Sequence, residues 1–346
     1  MVPVGLSCTG IVETTSTPKN LSILCLSHFH RDSTDTIRPY CLFATVLTAA
    51  ALLRAAAFRA SYPSIPWSSR DGLVTCSGRY NGLKMKATIG GDSYELVDEG
   101  CVIRELMTPS QEFRAFYDSE RRKIETPVRW ALDSGLPKGV DYMARRYDNG
   151  EQLILLRKIP ELPDEAFPIA HELQHLLMDR EGFISMCAVR PREETYEAMA
   201  VAVNGMTQDP VANARLRVFG FDLKKAYEGL ASSGRKDFGA LNVADPDRIM
   251  WLQWVFQTVE FMLEYQVAFG TWPDKRWVKT IKRSRYPDLI TDVGELTGFM
   301  LRAGLETPGK QRAVVHNIIA KYALGDMLLA KSRTPGGSWA PSTPTG

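Results

Sequence analysis

"PIAHELQHLLMDREG" (residues 168–182) contains His171-Glu172-Leu173-Gln174-His175, in a chain with 5 histidines in all. On an α-helix residues i and i+4 stack on one face, so His171 and His175 can turn their imidazole nitrogens towards one ion. Glu172 lies about 100° further round, where it reaches a water on that ion without occupying the ion itself. Pro168 suits a first helical turn, Asp164 or Glu165 precedes it, and Gly182 marks the C-terminal stop. Ala170, Leu173 and Leu177 form an apolar stripe with Leu176 beside it. The helix is therefore expected to pack on one side and open onto a site on the other. The plainer alternative is a half-buried helix whose histidines bond to backbone carbonyls.

A catalytic zinc site takes three protein ligands and keeps a fourth position open, so a third donor is required. "RPREETYEAMAVAVNGM" (residues 190–206) reads as a second helix, opened by Pro191 and acidic in its first turns. Its remainder is small and apolar, so an acid in the second turn needs a partner. Glu194 and Glu197 compete for the role, and the one not used stands behind the ligand, since residues three apart share a face. Glu193 is expected to be a solvated first-turn residue, and Asp179, although it continues the His171–His175 ladder, to cap the helix end or face solvent.

Upstream, "DYMARRYDNGEQLILLRKI" (residues 141–159) has Asp148-Asn149-Gly150 between two strand-like runs, a hairpin signal. A strand directly before the histidine helix can form the rim of a cleft on which an extended peptide adds as a further strand. "SQEFRAFYDSERRKI" (110–124) and "TPVRWALDSG" (126–135) read as helices.

On "HELQH" and "EETYEAMA" the chain resembles the ImmA/IrrE family of regulatory HExxH metallopeptidases, which are of the gluzincin type, over about residues 100–206. Glu194, eighteen residues beyond His175, has a gluzincin-like spacing, and the context Glu197-Ala198-Met199-Ala200 resembles the Glu-x-x-small pattern of gluzincin ligand helices and favours Glu197. The chain departs from the family at Gln174, where glycine is common, and at Val201 or Ala198, where asparagine often follows the ligand glutamate. The resemblance implies a minimal zincin-like core and regulatory cleavage of a protein partner such as a DNA-binding repressor.

The rest of the chain sets limits. Net charge of +2 gives no general argument for nucleic acid, and hydrophobic content of 45% is that of a globular protein. Cysteines at 8, 25, 41, 76, 101 and 187 form no CxxC pair, which points to a reducing compartment. Residues 1–84 are rich in Ser and Thr and poor in acids, and read as a non-globular or targeting-like segment; an alternative is a true start near Met85. "CLFATVLTAAALL" (41–53) is too short for a confident membrane span. Residues 245–273 read as one apolar helix in which Glu260 and Glu264, one turn apart, favour a buried soluble helix over a membrane segment. Two more helices are expected near 287–303 and 308–329, and the Pro/Gly/Ser-rich tail as disordered.

The expectation is an α+β fold: a zincin-like metallopeptidase core of helices plus a short sheet (85–206), then an all-α C-terminal domain (207–332), with a non-globular 1–84 and a disordered 333–346. The expected activity is zinc-dependent peptide hydrolysis in the cytoplasm, or in an organelle to which residues 1–84 target it. His171, His175 and either Glu197 or Glu194 would hold Zn²⁺, and Glu172 would act as general base on a metal-activated water. Tyr196, Tyr265 and His316 are oxyanion donors by residue type only. The substrate would be a peptide or protein, with no direct nucleic-acid contact and no stable membrane span. The alternative is a non-catalytic regulatory or binding protein that keeps the zincin fold.

Overall fold

The computed structural model of the chain describes residues 85–89, 92–124, 127–136, 141–147, 149–160, 165–190, 193–225, 227, 246–273, 275–283, 285–334 and 339–343. The expectations for residues 1–84 lie outside the described residues, and those for Asp164 and Pro191 do too.

Two antiparallel strands open the described chain, β1 (Met85–Ile89) and β2 (Asp92–Val97). Helix α1 (Glu99–Met107) starts at Asp98, whose side chain accepts from Cys101 N–H, and α2 (Gln111–Glu120) starts at Ser110, whose hydroxyl accepts from Phe113 N–H. Each cap satisfies an amide that the first helical turn leaves open. Val102, Ile103 and Leu106 on α1, with Phe113 and Phe116 on α2, recur at helical spacing and are buried together.

Strands β3 (Val128–Leu132), β4 (Tyr142–Arg146) and β5 (Gln152–Leu156) complete a five-stranded sheet in the order β1-β2-β3-β5-β4. β3 runs parallel to β5, and β4 pairs antiparallel with β5 as the expected hairpin. The helix read over 126–135 is a correction. Its five central residues form β3, with Trp130 opposite Ile154 and Leu132 opposite Leu156. A short apolar run carries no periodicity able to separate strand from helix, and here pairing with β5 decides. Every residue of β5 is buried, Ile154 and Leu156 against the helices and Leu153 and Leu155 on the opposite face.

Helix α3 (Ala166–Glu181) carries the histidine motif and ends at Gly182, whose φ of 91° only glycine adopts without strain. It is not packed on one side alone: Ile169, Ala170, Leu173, Leu176 and Leu177 join the sheet-side core, Gln174 is also buried, and Met178 enters a second core. The second core is built by α4 (Glu194–Val218), α5 (Arg248–Phe269), α7 (Leu289–Ala303), α8 (Pro308–Lys321) and strands β6 (Ser185–Ala188) and β7 (Leu328–Arg333); α6 (Lys275–Arg283) adds Ile281. β6, β7 and β8 (Trp339–Pro341) form an antiparallel three-stranded sheet.

Three boundary expectations change. The division at 206/207 falls inside α4, which runs unbroken because Met199, Val203, Met206 and Ala212 along it bury into one core with Val255 and Val259 of α5. The C-terminal part is not all-α: the helix read over 308–329 ends at Lys321, and 328–331 pairs with β6. The tail is not wholly without structure, since Trp339–Pro341 pairs with β7. Strand partners supply what the tail's composition does not show. The fold is thus α+β, and among the described residues no helix is long and apolar enough to cross a membrane.

Gly205 sets the approach of α4 to α5. A Cβ there would lie 2.5 Å from Oε1 of the buried Glu260. Gly294 on the exposed side of α7 would meet nothing within 4 Å. Gly205→Ala is therefore expected to destabilise by about 1–3 kcal/mol through overpacking. Gly294→Ala is expected to stabilise by roughly 0.5–1 kcal/mol through helix propensity. Urea midpoints of the two variants check this, and equal shifts of the same sign would overturn the account.

Candidate metal centre

Helix α3 brings His171, Glu172 and His175 to one place, as their spacing predicts. His171 Nε2 and His175 Nε2 face each other at 2.9 Å. The third donor is Asp209 of α4, whose Oδ1 lies 3.3 Å from His175 Nε2 and 3.8 Å from His171 Nε2. The side chains of the two histidines are 16% and 12% exposed, so the donors sit in a nearly closed recess.

Glu194 and Glu197 are not brought to the histidines, which corrects both candidates for the third donor. They occupy the first turn of α4, fifteen and twelve residues before Asp209. At 1.5 Å per residue that is about 22 and 18 Å along a continuous helix. Among the described residues, neither joins a group of donors able to hold a metal, whereas His171, His175 and Asp209 do. Tyr196, Tyr265 and His316 also have their described contacts elsewhere. Tyr196 lies under Arg190, Tyr265 stacks on Phe269 at 4.3 Å, and His316 Nε2 is 3.5 Å from the Ser342 hydroxyl.

Glu172 faces the sheet edge. Its Oε2 accepts the Ala144 N–H of β4 at 2.8 Å. In the β4–β5 register Ala144 stands opposite Ile154, and this N–H points away from β5, out of the edge. The strand directly before the histidine helix, β5, is paired on both sides and is not a rim; the edge is β4, whose Ala144 N–H is engaged by Glu172 and not offered to an added strand.

Asp209 belongs to a second group as well. Its carboxylate and those of Glu260 and Glu264 on α5 lie within 4.8 Å of one another. Glu260 and Glu264 are 2% and 4% exposed, as expected for a buried helix. Gly205, Asp209 and Asn213 form one stripe of α4 at i, i+4 and i+8, and it meets the Glu260/Glu264 stripe of α5. Three carboxylates this close do not all ionise without a cation or a shared proton between them.

Titration follows the same geometry. Burial, and then the neighbouring His175, hold the His171 imidazole below the usual histidine range. His175 is equally buried, yet the hydrogen bond and charge of Asp209 outweigh that burial and raise it. An additional proton on the pair is therefore favoured on His175, beside Asp209, over His171.

Asp179 neither caps through its side chain nor faces solvent. It is 1% exposed and paired with Arg146 of β4. Burial pushes its carboxyl up from the usual range against the lowering effect of Arg146. Arg146→Met would leave a buried carboxylate without this guanidinium, and the expected loss of stability at neutral pH is on the order of 3 kcal/mol. Because the Asp179 pKa is raised, the charge and its cost are lost as pH falls, so the deficit should shrink in mildly acidic buffer. Thermal midpoints of both proteins across that range test this; a deficit independent of pH would overturn it.

Compared with protein-family models, curated proteins and solved structures, the chain matches none of them.

Proposed function

We propose that this chain is a zinc-dependent metallopeptidase with a zincin-like core, in which His171, His175 and Asp209 hold Zn²⁺ and Glu172 is the general base. The supporting observation is the donor triangle with edges of 2.9, 3.3 and 3.8 Å. Tetrahedral zinc with bonds of about 2.0–2.1 Å calls for donor separations of about 3.3 Å, so the triangle fits after shifts of a few tenths of an ångström. Two imidazoles and one carboxylate are also the donor set of open catalytic zinc sites. When bound, the ion supplies a Lewis acid that acidifies water and polarises a substrate carbonyl.

The chain's own groups do the proton work. The Ala144 N–H holds Glu172 by Oε2, and Oε1 is left to exchange the proton. Glu172 takes a proton from the attacking water as the new C–O bond forms, and delivers it to the leaving amine as the C–N bond breaks. The near-closed recess keeps bulk water from these groups, which strengthens each charge interaction. The substrate is a peptide or protein segment, with regulatory cleavage of a protein partner the role that the ImmA/IrrE resemblance supports.

Elemental analysis of the purified full chain should find about one zinc per chain. Asp209→Ala should lose it, and Glu194→Ala and Glu197→Ala should keep it. Metal lost from the Glu197 variant and retained in the Asp209 variant would transfer the ligand role back to the start of α4.

Glu172→Gln should keep zinc and fold while slowing hydrolysis by on the order of 10²- to 10⁴-fold, the usual worth of general-base assistance. New peptide termini from a mixed library, read by mass spectrometry, give the rate. Cleavage by the variant at the wild-type rate would refute the mechanism. Zinc binding by both proteins with cleavage by neither would favour a non-catalytic zincin-fold regulator.

A further inference from the structure

Behind His171 lies a buried polar chain that the hydrolytic reading does not use. His171 Nδ1 is 2.9 Å from Asn213 Oδ1, and Asn213 is fully buried. The Asn213 amide nitrogen donates to the Tyr227 hydroxyl at 2.6 Å and to Glu264 Oε1 at 3.3 Å, while Tyr227 donates to that same Oε1 at 2.9 Å. The direction of every bond follows from its last member. With any proton of the three-carboxylate group on another oxygen, Glu264 Oε1 accepts from both Tyr227 and the amide NH₂, so the NH₂ points to Glu264 and the carbonyl oxygen points to His171. An amide oxygen only accepts, so the nitrogen facing it is a donor. His171 is then protonated at Nδ1, and its Nε2 carries a bare lone pair directed at His175 and Asp209.

We infer that Asn213, oriented by Tyr227 and Glu264, is a positioning residue that fixes the tautomer of His171 and so aims its Nε2 lone pair into the donor triangle. The tautomer rests on the hydrogen bonds alone; its consequence for metal rests on the zinc reading above. α5 thereby reaches the centre without itself supplying a donor to the histidine group: Glu264 sets Asn213, Asn213 sets His171. Groups behind a ligating histidine commonly carry 10- to 100-fold of metal affinity, and the same is expected here.

The test uses the full chain stripped of metal, with its 5 histidines labelled with ¹⁵N. Long-range ¹H–¹⁵N correlation, at a pH where the imidazoles are neutral, reads each tautomer, with His171→Ala to assign the signals. His171 should be in the Nδ1–H form in the wild type. Asn213→Leu should release it to the Nε2–H form or a mixture and weaken zinc binding by 10- to 100-fold in a chelator competition. Asn213→Asp keeps an acceptor oxygen against Nδ1 and should keep the tautomer. Wild-type His171 in the Nε2–H form overturns the inference without recourse to any variant, as does an Asn213→Leu protein with unchanged tautomer and zinc affinity. A wild type in the Nδ1–H form that binds no zinc upholds the positioning role while removing the metallopeptidase reading.

Discussion

Two imidazole nitrogens 2.9 Å apart cannot both carry a proton, and this contact between His171 and His175 governs much of what surrounds it. With His171 committed to Nδ1–H by Asn213, its Nε2 must meet a proton from His175 or a cation. Asp209 stands where it balances either. The same constraint accounts for the opposite displacement of the two histidines in titration, although both are equally buried. An apolar recess alone would depress both; only a carboxylate aimed at one of them separates the pair.

That contact is held from three directions. The edge strand β4 grips α3 twice, through Ala144 N–H on Glu172 and through Arg146 on Asp179. From the other side α4 supplies Asp209 and Asn213, and α5 backs both with Glu260 and Glu264. Gly205 lets the two helices approach closely enough for the Glu260 carboxylate to lie against the α4 backbone. The centre therefore sits where the sheet-side core and the helical core meet, with α3 contributing to both.

The parts of this arrangement legible in the sequence are those written in local pattern. The i, i+4 histidines, the Gly182 stop and the β4–β5 hairpin depend on neighbours within a few residues. So does the buried character of a helix carrying Glu260 and Glu264. Asp209 lies beyond the stretch read as the second helix (190–206), and α4 continues through it and through Pro210, where tertiary packing of the apolar residues on either side outweighs the missing amide. The signal that could have revealed the donor is the polar ladder Gly205, Asp209 and Asn213 within an otherwise apolar helix, matched by the ladder Glu260 and Glu264 on another. Buried acids on two helices point to each other more strongly than either points to solvent. The strand β3 and the sheet formed with the tail depend on partners distant in the chain, which no window of local sequence contains.

The unbroken course of α4 has a consequence for how this chain tolerates change in length. Over its 25 residues the helix works as a rigid ruler, with core-facing Met199 and Val203 near one end of the span and Asp209 and Asn213 further along. Inserting or deleting one residue between them would turn everything beyond by about 100° relative to what precedes it. Either the core face or the polar ladder would then point the wrong way. Surface connections absorb insertions and deletions far more readily, whereas within this helix only changes close to whole turns preserve both faces.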